Sequence, residues 1–297
     1  MAESFVTLCL VIDDIVYVIM DFCGPSTMCA LMSVSTSMKH SVRTVLSHQI
    51  SKLVAKFVDE GIEAFWRTLD ESESLICGSV ALAALAPHVV KPGWQPADLN
   101  ILSPMIPAHK MMDCLEREMG YKRISNGAGQ SDYAASVFMF YVFGKEDKRI
   151  TVSQSVSGTA LFPLVDAPAT HQMNSISRTH LYCFYPTLLE KGVSTHTFEL
   201  PTHAELKRYS KFDLDFKVRA PYSTDGECLV GCFGRWRRAR ALCGVGRLGW
   251  GGVELESEEW MTEAERDQRT TDNHLDFCNT HVRWQLKKFC SWPGCRR

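Results

Sequence analysis

No uninterrupted apolar run in this 297-residue chain is long enough to cross a bilayer. Net charge is also nearly absent, since 32 Lys and Arg face 34 Asp and Glu. The first absence excludes a membrane-spanning reading. The second excludes wholesale electrostatic binding to a polyanion. The opening residues, "MAESFVTLCLVIDDIV", lack the basic start of a secretory leader and place Glu3, Asp13 and Asp14 there instead. There is no C-x-x-C knuckle, no G-x-S-x-G elbow, no phosphate-loop lysine motif and no H-E-x-x-H. Those absences remove the common zinc modules, the serine hydrolases, the P-loop NTPases and the zincins. No internal repeat is visible, which excludes a solenoid.

What is present is 45% hydrophobic content and a length that allows two domains of roughly 150 residues each. The twelve cysteines are scattered rather than framed as a disulfide scaffold. They read as reduced thiols of a cytoplasmic or nuclear protein, with Cys77, Cys114 and Cys183 among apolar neighbours as core residues.

The amino-terminal part reads as short helices. In "IDDIVYVIMDF", Ile12, Ile15, Val16, Ile19 and Phe22 share one face, and Asp13 and Asp14 favour the helix start. Gly24 and Pro25 break it, "STMCALMSV" forms a second helix, and Ser35 is placed to cap a third. That third helix, "SMKHSVRTVLSHQISKLVAKFV", carries a stripe through Met38, Val42, Leu46, Ile50 and Val54. Lys39, Arg43, His48 and Lys52 turn away from it.

From residue 75 strands alternate with helices, so the fold class expected is α+β. "ADLNILS" reads as a strand, "PAHKMMDCLEREMG" as a helix and "YKRI" as a short strand. "ASVFMFYVF", "GKEDK" and "RITVSQSV" read as a hairpin, with further strands in "HQMNSIS" and "THLYCFYP". These patterns divide the chain into a helical region at 1–58, an α/β domain at 59–200 and a Cys-containing charged tail at 201–297, partly disordered.

The tail holds two weaker constellations. Cys228, Cys232 and Cys243, with His274, Cys278, His281, Cys290 and Cys295, supply enough ligands for a zinc ion, but their spacing equally suits unligated thiols. "RWRRAR" surrounds Trp236 with four arginines, yet Glu254, Glu256, Glu258 and Glu259 nearby would repel a polyanion, which argues against nucleic acid.

Residues 5 to about 50 resemble an F-box-like domain, carried by "LVIDDIVYVIMDFCGPSTMCALMSVSTSMKHSV" with Ile15, Ile19, Phe22, Pro25, Leu31, Val34 and Ser35 at the family's marked places. The family's usual Leu-Pro opening is replaced by "TLCLVIDD". The resemblance implies that Ile15, Ile19, Phe22, Leu31 and Val34 dock on the Skp adaptor of a cullin ubiquitin ligase by burying apolar helix faces.

"LICGSVALAALAPHVVKPGWQPADLN", residues 75 to 100, opens a segment resembling the nucleotidyltransferase fold. There Gly78 would let the backbone approach the phosphates of a nucleoside triphosphate. Ser79 and the following helix N-terminus would bind them. Two carboxylates one residue apart on a strand share a face and hold Mg²⁺, and a third on a neighbouring strand completes a two-metal site. Asp98 fills the first of these places, but Asn100 stands in the second, and "RITVSQSV" offers Thr151, Ser153 and Ser155 in place of an acid. An Asn carbonyl supplies no charge to a divalent ion. The shape is kept, and the carboxylate set is incomplete. The combination of both modules resembles a family of proteins in mushroom-forming (basidiomycete) fungi.

Two functions follow as expectations. One is a non-catalytic adaptor or interaction protein with a degenerate nucleotidyltransferase-like domain. The other is a Mg²⁺-dependent nucleotide-binding protein or nucleotidyltransferase using Gly78, Ser79, Asp98 and Asn100. A plain scaffold with neither property is the third.

Overall fold

Local chemistry sets each boundary in the amino-terminal helices. A computed structural model describes residues 13–20, 22–128, 136–196, 212, 215–217, 237–238, 246–250 and 283–284. It begins with α1 (Asp13–Met20), α2 (Pro25–Val34) and α3 (Thr36–Val54). Pro25 fills the first turn of α2, where its missing N–H would have had no partner in any case. Between α2 and α3 the extended backbone of Ser35 ends one helix, and its Oγ accepts the Met38 N–H at 3.1 Å to cap the next. The stripe of α3 is buried as its spacing predicts, with Val42, Leu46, Ile50 and Val54 all inaccessible to solvent.

The first helix behaves differently. Met20 and Cys23 face inward, while Ile19 and Phe22 face out. Beyond Asp14 every side chain of α1 is apolar or aromatic, so periodicity alone cannot choose its buried side.

The body follows with α4 (Ile62–Glu71), β1 (Leu75–Cys77), α5 (Gly78–Leu85), β2 (Leu99–Ser103) and α6 (Ala108–Asp113), which runs on through a π turn at Cys114–Glu118. Next come β3 (Lys122–Ala128), β4 (Val137–Lys145), β5 (Lys148–Ser155), α7 (Leu161–Val165), β6 (Asn174–Ile176), β7 (His180–Cys183) and α8 (Pro186–Glu190). The expected hairpin forms between β4 and β5, and β3 runs four residues past "YKRI". Later short strands are β8 (Val193–Thr195), β9 (Asp215–Lys217), β10 (Arg237–Arg238), β11 (Gly246–Gly249) and β12 (Arg283–Trp284). Eight strands form one sheet in the order β11-β7-β6-β1-β2-β5-β4-β3. All its pairs are antiparallel except β2 with β5. The fold is α+β, with helices on a mixed sheet. Among the described residues no helix is long and apolar enough to cross a membrane.

Alternation along the central strands builds a core on each face. Ile76, Ile101 and Ile176 join the main cluster, whereas Leu75, Leu102 and Tyr182 join a second one with Leu161 and Leu164 of α7. The main cluster is continuous from Met20 and Met28, through the α3 stripe and Val80 and Leu82 of α5, to Leu248 and Trp250 beyond residue 200. The helical head is also tied down by polar chemistry. Glu190, at the end of α8, accepts the Ser26 N–H at 2.6 Å, placing a carboxylate on the N-terminus of α2.

Because Ser35 caps the helix that carries the shared core, Ser35→Ala is expected to cost about 1 kcal/mol. In a thermal melt followed by circular dichroism this lowers Tm by about 3 °C. An unchanged Tm would show that the cap carries no stability.

Candidate functional site

The turn from β1 into α5 is built around a glycine that no other residue replaces cheaply. Gly78 has φ +69, in the left-handed region. A Cβ there would also stand 3.3 Å from Asn100 Nδ2, closer than ordinary contact. The opposing side chain thus occupies the space that the glycine leaves. Asn100 lies directly across from Cys77 in the β1–β2 register, and Thr151 lies beside Asn100 on the parallel β5. On the other flank Ser175 of β6 lies across from Cys77. Neighbours across a sheet share a face, so Ser175, Cys77, Asn100 and Thr151 form one row ending under the turn.

Asp98 immediately precedes β2 and is half-buried. Its charge reaches Cys77: burial first, and then the Asp98 carboxylate, push that thiol up to about 12. Gly78, Asp98 and Asn100 therefore converge on the β1–α5 turn, and Ser79 sits half-buried in the first turn of α5. The row around them consists of hydroxyls, an amide and a protonated thiol. Asp98 is the one carboxylate of the sequence motif. Among the described residues no three His, Cys, Asp or Glu side chains come together to hold a metal ion. This donor set does not fit a two-metal site, because neither Thr151 nor Ser153 can supply the charge that divalent ions need.

Sequence reasoning missed the β6 flank. Asn174 and Ser175 are buried, and Asn174 Oδ1 and Ser175 Oγ make no hydrogen bond there. "HQMNSIS" was readable as a strand, but its place beside β1 is a long-range pairing that no local pattern encodes. The useful signal was an Asn-Ser pair inside a strand between apolar residues.

The helical head presents a separate surface. Phe22, in the turn between α1 and α2, is 79% exposed, Val34 66% and Ile19 41%, and Val18 of α1 is exposed as well. Ile15 is half-buried, and Leu31 packs partly against the main core. Three of the five residues named for partner docking are therefore open to solvent, one is half-buried and one packs on the core. Cys228, Cys232 and Cys243 lie outside the described residues, as do His274, Cys278, His281, Cys290 and Cys295. Of "RWRRAR", Arg237 and Arg238 pair as a short strand with Arg283 and Trp284. The five described cysteines (Cys23, Cys29, Cys77, Cys114 and Cys183) are free thiols.

Comparison of the chain with protein-family models, with curated proteins and with solved structures returned no match.

Two predictions follow from this geometry. Gly78→Ala is expected to destabilise by about 1–2 kcal/mol from the left-handed backbone alone. Adding Asn100→Gly removes the close contact but not the backbone penalty, so a double variant restored fully to wild-type urea stability would contradict this account. The second concerns alkaline pH. Burial also pushes Cys183 up to about 12, with the Glu190 charge adding to it and a backbone hydrogen bond from Tyr185 opposing. Both folded values exceed the ordinary thiol value of 9.0. Their stabilisation is thus complete below about pH 9 and is lost as pH rises towards 12, by about 1.4 kcal/mol per pH unit for each thiol. Urea midpoints between pH 7 and 10.5 should fall above pH 9, and fall less in Cys77→Ala with Cys183→Ala. Equal slopes in both proteins would refute the assignment.

Proposed function

We propose that this protein is a non-catalytic interaction protein. Its F-box-like helices α1 to α3 dock on the Skp adaptor of a cullin ubiquitin ligase, and a degenerate nucleotidyltransferase-like body presents the surface that selects a target. The observation that carries this reading is the outward apolar face of the head. Ile19, Phe22 and Val34 stay exposed although the helical head buries Met20, Met28 and Met38 against the core. Exposed aromatic and aliphatic side chains on a supported helical head are of the kind that anchors interfaces. Burying one of them contributes about 1.5–3 kcal/mol of apolar transfer free energy. The body supports a non-catalytic role through its chemistry, with Asn100 and Thr151 standing where a metal mechanism needs carboxylates.

Co-expression of the full chain with the Skp adaptor tests this. The wild type should be captured, and Phe22→Asp combined with Val34→Asp should abolish capture. Both are surface changes, so the melt should move by no more than about 0.5 kcal/mol for each. A folded wild type that captures no adaptor would refute the reading.

A second reading is favoured by one observation, the left-handed Gly78 opening α5 beside Asp98. In it Ser79 and the α5 N-terminus bind the phosphates of a nucleoside triphosphate, with one Mg²⁺ on Asp98 and Asn100. At a hundredfold its dissociation constant such a ligand adds about 2.7 kcal/mol of stability. A melt should show that gain only with Mg²⁺ present and lose it in Asp98→Ala. The adaptor reading expects no gain.

A further inference from the structure

The segments that meet where β2 and β5 end hold large apolar side chains in water. Ile106 is 78% exposed, Phe138 50%, Met105 40% and Val156 39%. Backbone hydrogen bonds bring their segments together. The Met105 N–H donates to the Ser157 carbonyl at 2.9 Å, beside Val156. The Val156 N–H donates in turn to the Ser136 carbonyl at 3.0 Å, two residues before Phe138. Large apolar side chains grouped on a surface mark a place where something binds.

Two properties of the patch narrow the occupant. The first is charge. Stretches 99–108, 136–144 and 150–165, which carry the patch, contain no Asp, Glu, Lys or Arg, in a chain that is 22% charged. The second is hydrogen bonding. Besides the two N–H groups already paired, the Met105 carbonyl accepts from Gln154 Nε2 at 2.6 Å and the Ile106 carbonyl accepts from His109 Nδ1 at 2.9 Å. These backbone groups are satisfied within the chain and the side chains beside them are apolar. An extended peptide docking by strand addition would need unpaired backbone groups. An anionic lipid surface would need Lys or Arg, which these stretches do not supply. A second copy of the chain needs neither. In a two-fold interface residues near the axis meet their own kind, so a charge there repels itself, whereas an uncharged apolar patch is self-complementary.

We propose that this patch is the contact between two copies of the chain, a two-fold dimer centred on Met105, Ile106, Phe138 and Val156. The helical head is carried elsewhere: α2 meets α8 and β11, and α3 meets α5. Dimerisation through the patch and docking through Ile19, Phe22 and Val34 are therefore separate properties, and the dimer does not rest on the adaptor reading.

Sedimentation velocity of the full chain, under reducing conditions and over a concentration series, tests the proposal. At tens of micromolar the wild type should sediment as a species of twice the 33.5 kDa chain mass. Ile106→Asp combined with Phe138→Asp should weaken the dimer by at least about a hundredfold, through the lost burial of two large apolar side chains. Ile106→Asp alone, in a surface turn, carries the test if the double variant fails to fold. Phe22→Asp with Val34→Asp should leave the dimer intact. A wild type that stays monomeric through that range overturns the proposal. So does a dimer that persists in the folded Ile106 and Phe138 variant, or one lost in the Phe22 and Val34 variant, which would move the contact to the head.

Discussion

The burial of the α3 stripe against α5 and the sheet is the interaction on which the rest of this structure depends. Val42, Leu46 and Ile50 are removed from water by the same cluster that contains Val80 and Leu82 of α5 and Ile76 and Ile101 of the sheet. Each fully buried aliphatic side chain contributes about 1.5–3 kcal/mol, so a handful of them exceeds the net stability of an ordinary domain. The helical head cannot leave the body without opening that core. Once α3 is fixed, α1 and α2 have only one direction in which to turn their remaining apolar side chains, and that direction is outward. The Glu190 carboxylate on the N-terminus of α2 adds a polar constraint to the same arrangement.

The same packing positions the candidate site. α5 lies between α3 and the sheet, and its first residue is Gly78, so the height of the helix over the sheet is set at the turn where Gly78 meets Asn100. A helix N-terminus, a half-buried serine and a carboxylate are thereby brought near one another. The surrounding side chains change what the geometry can do. Asn100, Thr151 and Ser175 are polar but carry no charge, and the Cys77 thiol is held protonated by burial and by Asp98. Apart from Asp98, the groups beside the turn are neutral and polar.

What the sequence disclosed follows the range of the interactions involved. The Ser35 cap, the break at Gly24 and Pro25, the α3 stripe, the β4–β5 hairpin and the Gly78 turn are all decided within a few residues, and each was readable. The buried side of α1 was not, because a helix apolar all round has no period to read. Nor was the strand at Gly246–Gly249, where "GRLG" has little β propensity and is held by pairing with β7 some sixty residues earlier in the chain. Arg43 belongs with these cases. Its spacing matched the solvent face of α3, yet it is half-buried, with Nη2 3.6 Å from the place of a Cβ on Gly249 in β11, a distant part of the chain. Asn174 and Ser175 escaped notice for the same reason, since their role depends on lying beside β1.

Hydrogen exchange measured by mass spectrometry on the full chain would test the claim that head and body share one core most directly. Amides in α3, in α5 and in the central strands β1 and β2 should open with the same free energy, in one cooperative unit. An opening free energy for α3 several kcal/mol below that of the strands would contradict the shared core, and would make the helices a separate unit resting on the sheet.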